Sequence, residues 1–249
     1  MHLIIDIGNS RSKVALFYKD QILSLKIVDE LTIEQLDSLF KEFETTYSEK
    51  GSISASILSS VRQDNENIKL LLKQKSSFIE LNASIPMPIK ILYKTPETLG
   101  NDRIALAVGA TIAFPKSNVL VIDAGTCITF DFVSANNEYF GGGISPGIMM
   151  RYKALHTFTD KLPLVNNINP ADLIGQTTQT AIQSGVMNGV LAETDGIIDK
   201  YKALFPDLKT IVTGGDTYYF DKNLKNNIFA NSNLVLEGLN RILNFNDGK

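Results

Sequence analysis

Asp6-Ile7-Gly8-Asn9-Ser10, entered from Leu3-Ile4-Ile5, has the residue types needed to hold a phosphate and its counter-cation. The glycine lets an anion come close to backbone amides, and a carboxylate at a strand end suits a cation bound to that anion. The phrase returns as Val121-Ile122-Asp123-Ala124-Gly125-Thr126-Cys127, 117 positions later (123 − 6). A single Asp-x-Gly is most often just a turn, for conformational reasons. Two copies in matching context, one in each half, favour two hairpins that face each other across a cleft and hold a nucleoside triphosphate from both sides.

Other motifs are weaker when taken alone. Ile211-Val212-Thr213-Gly214-Gly215-Asp216 is a strand ending in bare backbone, against which a flat ring or ribose could lie. Leu99-Gly100-Asn101-Asp102-Arg103 opens an Ala-rich helix. Asp102 there reads first as a helix N-cap, and second as a general base beside an anion-binding arginine. The run Gly141 to Gly147 reads mainly as a tight strand-to-helix connection, because Pro146 lacks the N–H of a phosphate nest. No Gly-x4-Gly-Lys-Ser/Thr motif occurs, which excludes the ordinary P-loop. His2 and His156 are too few and too far apart to suggest a metal cluster, and Cys127 reads as a buried small hydrophobe.

These residues need strands and helices to position them. Leu3 to Ile7, Lys13 to Tyr18 and Ile22 to Val28 predict three strands joined by turns, followed by a helix from about Thr32 to Thr46. Ser54 to Ser59 and Phe78 to Leu81 predict further strands, with a helix over Asn65 to Lys73, and Pro86 and Pro88 punctuate a loop before Ile89 to Tyr93. The small-residue helix Asn101 to Phe114 must pack closely on a neighbour that the pattern does not name. Pro115 to Asn118 reads as the break between halves. The second half opens as the first did, with strands at Val119 to Asp123, Cys127 to Val133 and Tyr139 to Gly142. Helical segments follow through Met150 and Leu155, over Thr178 to Phe205, and over Leu234 to Leu243, with a short strand at Thr210 to Thr213. The pattern is two α/β halves, each begun by a β-meander and finished with helices, divided as residues 1–114 and 115–249.

At 249 residues the chain fits two domains of ordinary size. A net charge of −3 without a basic stripe argues against nucleic-acid binding. A single cysteine suits a reducing compartment. No signal peptide is visible, and no apolar run approaches the ~20 residues that span a bilayer. The expected location is the cytoplasm, with no membrane partner.

In order, Asp-x-Gly-Asn-Ser, Gly-x-Asp-Arg, Asp-x-Gly-Thr, Gly-Gly-x-Ile-Ser-Pro-Gly and Thr-Gly-Gly-Asp resemble the type III pantothenate kinases. The resemblance runs from Asp6 to Leu236-Glu237-Gly238-Leu239. It implies an α/β fold of two related ribonuclease H-like (actin-like ATPase) domains, with mixed sheets flanked by helices and the nucleotide in the cleft between them. It implies ATP-dependent phosphorylation of pantothenate to 4′-phosphopantothenate, the first step of coenzyme A biosynthesis. By this resemblance Asp6, Ile7, Gly8, Asn9, Ser10, Arg11, Ser12 and Lys13 form the first phosphate motif, with Asp6 turned toward Mg²⁺, and Thr126 touches ATP. Tyr93, Gly100, Asn101, Asp102 and Arg103 match the pantothenate-binding positions, and Asp102 matches the catalytic base, which overrides the cap reading. Thr178 matches a pantothenate contact supplied across a homodimer interface, so that active sites are shared. Asp123 matches the ligand of an activating monovalent cation, K⁺ or NH₄⁺. A kinase for another small alcohol and a nucleotide-binding regulator without turnover are the alternatives.

Overall fold

Leu3, Ile4 and Ile5 are all fully buried in β1 (His2–Ile7), so this strand has protein on both faces. The computed structural model describes residues 1–62 and 65–247. Met1–Ala113 and the chain from Asn233 make one compact unit, and Phe114–Ser232 makes a second.

In the first unit β1 is the central strand of a sheet ordered β3-β2-β1-β4-β5. β2 (Ser12–Tyr18) and β3 (Gln21–Val28) extend it as an antiparallel meander. β4 (Ala55–Ser60) and β5 (Ser77–Glu80) run parallel on its other side. A two-residue strand, β6 (Lys90–Ile91), lies in the segment Ile89 to Tyr93 that follows the Pro86 and Pro88 loop. Leu3, Ile5 and Ile7 of β1 share a core with Leu36, Phe40 and Phe43 of α1 (Ile33–Thr46) and Leu71 and Leu72 of α2 (Glu66–Lys75). Side chains alternate across a strand, so Ile4 and Asp6 face the other side of the sheet. There α3 (Asn101–Ala113) and α7 (Leu234–Asn246) pack on the strands.

The neighbour of the Ala-rich α3 is α7, the last helix of the chain. They meet at two glycines. A Cβ on Gly109 would overlap the Leu234 carbonyl, and one on Gly238 would overlap the Ala105 carbonyl. This corrects the division at residue 114. The terminal helix, expected in the second half, folds with the first unit. Its amphipathic pattern specifies a buried face but not which sheet buries it.

The second unit repeats the topology. β7 (Val119–Ala124) is central, in the order β11-β10-β7-β8-β9. β8 (Cys127–Val133) and β9 (Glu138–Pro146) form the antiparallel meander. β10 (Lys209–Thr213) and β11 (Phe229–Ala230) are the parallel additions. α4 (Ile148–Thr157), α5 (Thr178–Leu204) and α6 (Thr217–Asn223) cover it, and Tyr152, Met187, Val190 and Phe220 fill its core. α5 starts from a capping box between Thr177 and Thr180 and runs unbroken for 27 residues.

The glycine run at 141–147 is not a connection, as the sequence suggested, but the body of β9. Gly141 adopts φ +97° beside a register shift at Phe132/Val133, and Gly142 lies so close to the Phe130 carbonyl that a Cβ would overlap it. The glycines let β9 hug β8, and Gly147 then caps α4. Cys127, expected to be buried, is only half-buried.

The α3–α7 crossing generates a stability test. Gly238→Val should lower stability by about 1–3 kcal/mol through overpacking against the Ala105 backbone, seen as a reduced melting temperature. An unchanged melting temperature would contradict the close crossing.

Candidate active site

Asp6 ends the buried run of β1, on the face that carries α3 and α7. In register it sits opposite Lys13 on β2 and Ser59 on β4. Ser59 Oγ donates a 3.0 Å hydrogen bond to Asp6 Oδ1. Asp6 is half-buried, and partial desolvation pushes its pKa up from the ordinary carboxylate range to about 6. The Ser59 bond and the Lys13 charge pull it down, and the Asp102 charge raises it further. Asp6, Lys13 and Asp102, far apart in sequence, thus share one electrostatic neighbourhood.

Beyond Asp6 the hairpin turns tightly, with Gly8 N–H donating to the Arg11 carbonyl at 3.0 Å. A Cβ on Gly8 would stand 3.1 Å from that carbonyl. Asn9, Ser10 and Arg11 are exposed at the tip, whereas Ser12 is fully buried. Among the described residues no group hydrogen-bonds the Ser12 hydroxyl. Arg62, which no sequence signal marked, reaches this tip from the segment after β4. Its Nε donates to the Gly8 carbonyl at 3.0 Å and its NH2 to the Asn9 carbonyl at 2.9 Å.

Gly100, Asn101, Asp102 and Arg103 form the start of α3. The Gly100 carbonyl accepts from Ile104 N–H at 3.2 Å, so Gly100 occupies the cap position and Asp102 lies inside the first turn. The Asp102 carboxylate accepts from the backbone N–H of Arg103 at 2.8 Å. It therefore satisfies a first-turn amide while remaining close enough to Asp6 to be felt there. Arg103 is buried, and its guanidinium lies 5.8 Å from the Tyr93 ring centre. Gly100 and Asn101 border an open hollow of about 730 Å³, with Ser60, Asn82 and Glu97 on its other walls.

The second hairpin places Asp123 at the matching end of β7, opposite Thr129 on β8 and Thr213 on β10. Thr213 thus occupies the register position that Ser59 holds beside Asp6. Gly125 N–H donates to the Cys127 carbonyl at 2.9 Å, and Thr126 is exposed at the tip. Two glycine segments seat against this hairpin. Gly147 N–H donates to the Thr126 carbonyl at 3.1 Å, and a Cβ on Gly147 would collide with Gly125 and Thr126. Gly214, at φ +96°, leaves no space for a Cβ beside Asp123 and Ala124. Asp216 N–H donates to the Ala124 carbonyl at 2.9 Å, and burial raises the Asp216 pKa. Thr178 is exposed as the first residue of α5.

The first unit therefore brings together Asp6, Lys13 and Asp102, and separately Arg103 and Tyr93. The second pairs Asp123 with the Gly214 segment. Ser59 and Arg62 are the additions. The Ser-Ser-Val-Arg run at the end of β4 carries no local signature, because its partners are about 50 residues earlier in the chain. The residues fit a magnesium-bound nucleotide. A half-buried carboxylate at a strand end, in register with Lys13 and Ser59, suits a cation. Phosphate and water would complete the ligands of a magnesium ion there.

The raised Asp6 pKa gives a signed pH dependence. Between the ordinary carboxylate value and about 6, the folded protein holds more protons at Asp6 than the unfolded chain does. The Asp6 contribution therefore becomes more favourable as pH falls through about 6. In the absence of nucleotide and Mg²⁺, Asp6→Asn should raise the melting temperature relative to wild type more at about pH 7.5 than at about pH 5. A difference that does not vary with pH would contradict the partly desolvated carboxyl.

The family profile of type III pantothenate kinase matches residues 2–200. A protein named type III pantothenate kinase from Christiangramia forsetii is 44% identical over 246 residues, covering 99% of each chain. One of the same name from Phocaeicola vulgatus is 44% identical over 250 residues, again covering 99% of each. Among solved structures, a Campylobacter jejuni protein provisionally assigned to the Baf family of transcriptional activators has a TM-score of 0.63 at 22% identity, covering 99% of this chain and 100% of that one. A Listeria monocytogenes protein provisionally assigned as an N-acetylmannosamine kinase has a TM-score of 0.53 at 11% identity, covering 99% of each. These structural likenesses show a shared fold. On the sequence evidence, the chain belongs to the type III pantothenate kinase family.

Proposed function

We propose that this protein transfers the γ-phosphoryl group of ATP to pantothenate, giving 4′-phosphopantothenate and ADP, the first step of coenzyme A biosynthesis. The observation that carries this reading is full-length similarity to proteins named for that substrate. The neighbourhood of Asp6, Lys13 and Asp102 supports it. Phosphoryl transfer asks a protein mainly to position its reactants and neutralise charge.

In this reading the amides of residues 7–12 and the Lys13 ammonium hold phosphates, and Thr126 adds a nucleotide contact. Asp6 faces the magnesium ion, directly or through water; that ion supplies charge neutralisation at the phosphates. Asp123 holds the monovalent cation, K⁺ or NH₄⁺. Tyr93, Gly100, Asn101 and Arg103 hold pantothenate, with Arg103 offering its charge to the substrate carboxylate. The neighbouring hollow has the volume of a small-molecule site. Asp102 takes the proton of the primary hydroxyl as that oxygen attacks the γ-phosphorus. The bond to the β,γ-bridging oxygen breaks, and ADP leaves. A cytoplasmic location accords with the single half-buried cysteine. Among the described residues no helix is long and apolar enough to cross a membrane.

The protein is further proposed to be a homodimer in which Thr178 reaches the partner's pantothenate. Phe158, Leu173 and Ile174 support this: they stand 85%, 79% and 78% exposed before the exposed head of α5, where a second chain would cover them.

An ADP-release assay tests the activity. Turnover should require pantothenate, should not occur with sugars in its place, and should be faster with K⁺ than with Na⁺ as the only monovalent cation. Release that is independent of pantothenate would contradict the substrate assignment. Asp102→Asn should retain the fold and lose about 10²–10⁴-fold in kcat; near wild-type turnover would remove Asp102 as the base. Mixing Asp102→Asn chains with Thr178→Arg chains should regain activity through the heterodimer's one intact site. A monomer in sedimentation, or no recovery after verified subunit exchange, would contradict the shared site.

A further inference from the structure

We infer that Arg62 is a positioning residue for the nucleotide, acting through the backbone of the first hairpin. The inference rests on the reading of that hairpin as the phosphate site. Arg62 donates through two nitrogens of its planar fork to two successive carbonyls, Gly8 and Asn9, at 3.0 and 2.9 Å. In a trans peptide the C=O and N–H of one plane point in opposite directions, and the described residues contain no cis bond. A plane whose carbonyl faces Arg62 therefore turns its N–H away. The two planes concerned carry the N–H groups of Asn9 and Ser10, at the exposed tip. Arg62 thus orients two adjacent amides in one direction, which is the arrangement an anion-binding nest requires.

Arg62 is itself held. Its N–H donates to Ser60 Oγ at 3.0 Å, and Ser60 Oγ lies 3.0 Å from the Arg62 carbonyl. Asn65 Nδ2 donates to Ser60 Oγ at 2.8 Å and to the Arg62 carbonyl at 2.9 Å. Val61 N–H continues the β1–β4 pairing by donating to the Ile7 carbonyl at 3.1 Å. The fork is therefore mounted on the rigid end of β4 and braced from the start of α2. A lysine could supply the charge here but not two fixed donors at this spacing.

The test measures KM for ATP and for pantothenate separately, with circular dichroism and melting temperature recorded for each variant. Arg62→Ala should raise the ATP KM roughly 10- to 100-fold, the scale of a misplaced binding group, while the pantothenate KM stays unchanged. Arg62→Lys should fail to restore the ATP KM; it also serves as the test variant if the alanine protein does not fold. A folded Arg62→Ala protein with an unchanged ATP KM overturns the inference. So does a parallel rise in both constants, or a lysine variant equal to wild type. Gly8→Val, which presses on the Arg11 carbonyl, separates the inference from its premise. If Gly8→Val leaves ATP binding intact, the hairpin is not the phosphate site. If Gly8→Val weakens ATP binding and Arg62→Ala does not, the Arg62 inference alone fails.

Discussion

A half-buried carboxyl, partly withdrawn from water at the end of a central strand, is the constraint around which the first unit is built. Folding partly desolvates Asp6 and pushes its pKa to about 6. One hydroxyl and one lysine offset part of that cost, and Asp102 adds to it. A fold selected only for stability would place an apolar residue there, as β1 does at Leu3, Ile4 and Ile5. The arrangement makes sense if the charge is answered by a cation that arrives with a phosphorylated ligand. The site then pre-forms in its unfavourable ionic state, and binding relieves it.

The same solution appears in each unit. Each sheet has its own central strand, an antiparallel meander on one side and parallel strands on the other. In each, the central strand ends in Asp-x-Gly, and the adjacent parallel strand puts a hydroxyl residue in register with that aspartate, Ser59 beside Asp6 and Thr213 beside Asp123. The surroundings differ. Arg62 and the start of α3 attend the first hairpin, whereas glycine segments press on the second and leave no room for side chains at Gly147 and Gly214. One topology therefore presents a charged setting in one unit and bare backbone in the other, which suits phosphate chemistry and ring contact respectively.

Much of this was legible in the order of residues, because its signals are local. Asp-x-Gly after a β-branched run marks a strand and its turn, and both hairpins lie where that pattern put them. The small-residue stretch at Asn101 gave α3, and its need for a close neighbour was readable too. The identity of that neighbour was not. Gly109 and Gly238 meet across most of the chain length, and a helix pattern reports a buried face without reporting what buries it. For the same reason α7 was assigned to the wrong unit. Arg62 carries no local signal, because an arginine after a strand is ordinary until folding brings two carbonyls to it. The glycine run in β9 misled because glycine usually interrupts strands, whereas here it permits close strand pairing.

The central claim is that Asp6 is a partly desolvated carboxyl awaiting a cation. Carbon-13 NMR of the Asp6 carboxyl, titrated with and without Mg·ADP, measures this directly. The account predicts a midpoint near about 6 in the free protein and a marked fall when the magnesium nucleotide binds. A midpoint in the ordinary carboxylate range for the free protein, or one that Mg·ADP leaves unmoved, would contradict it.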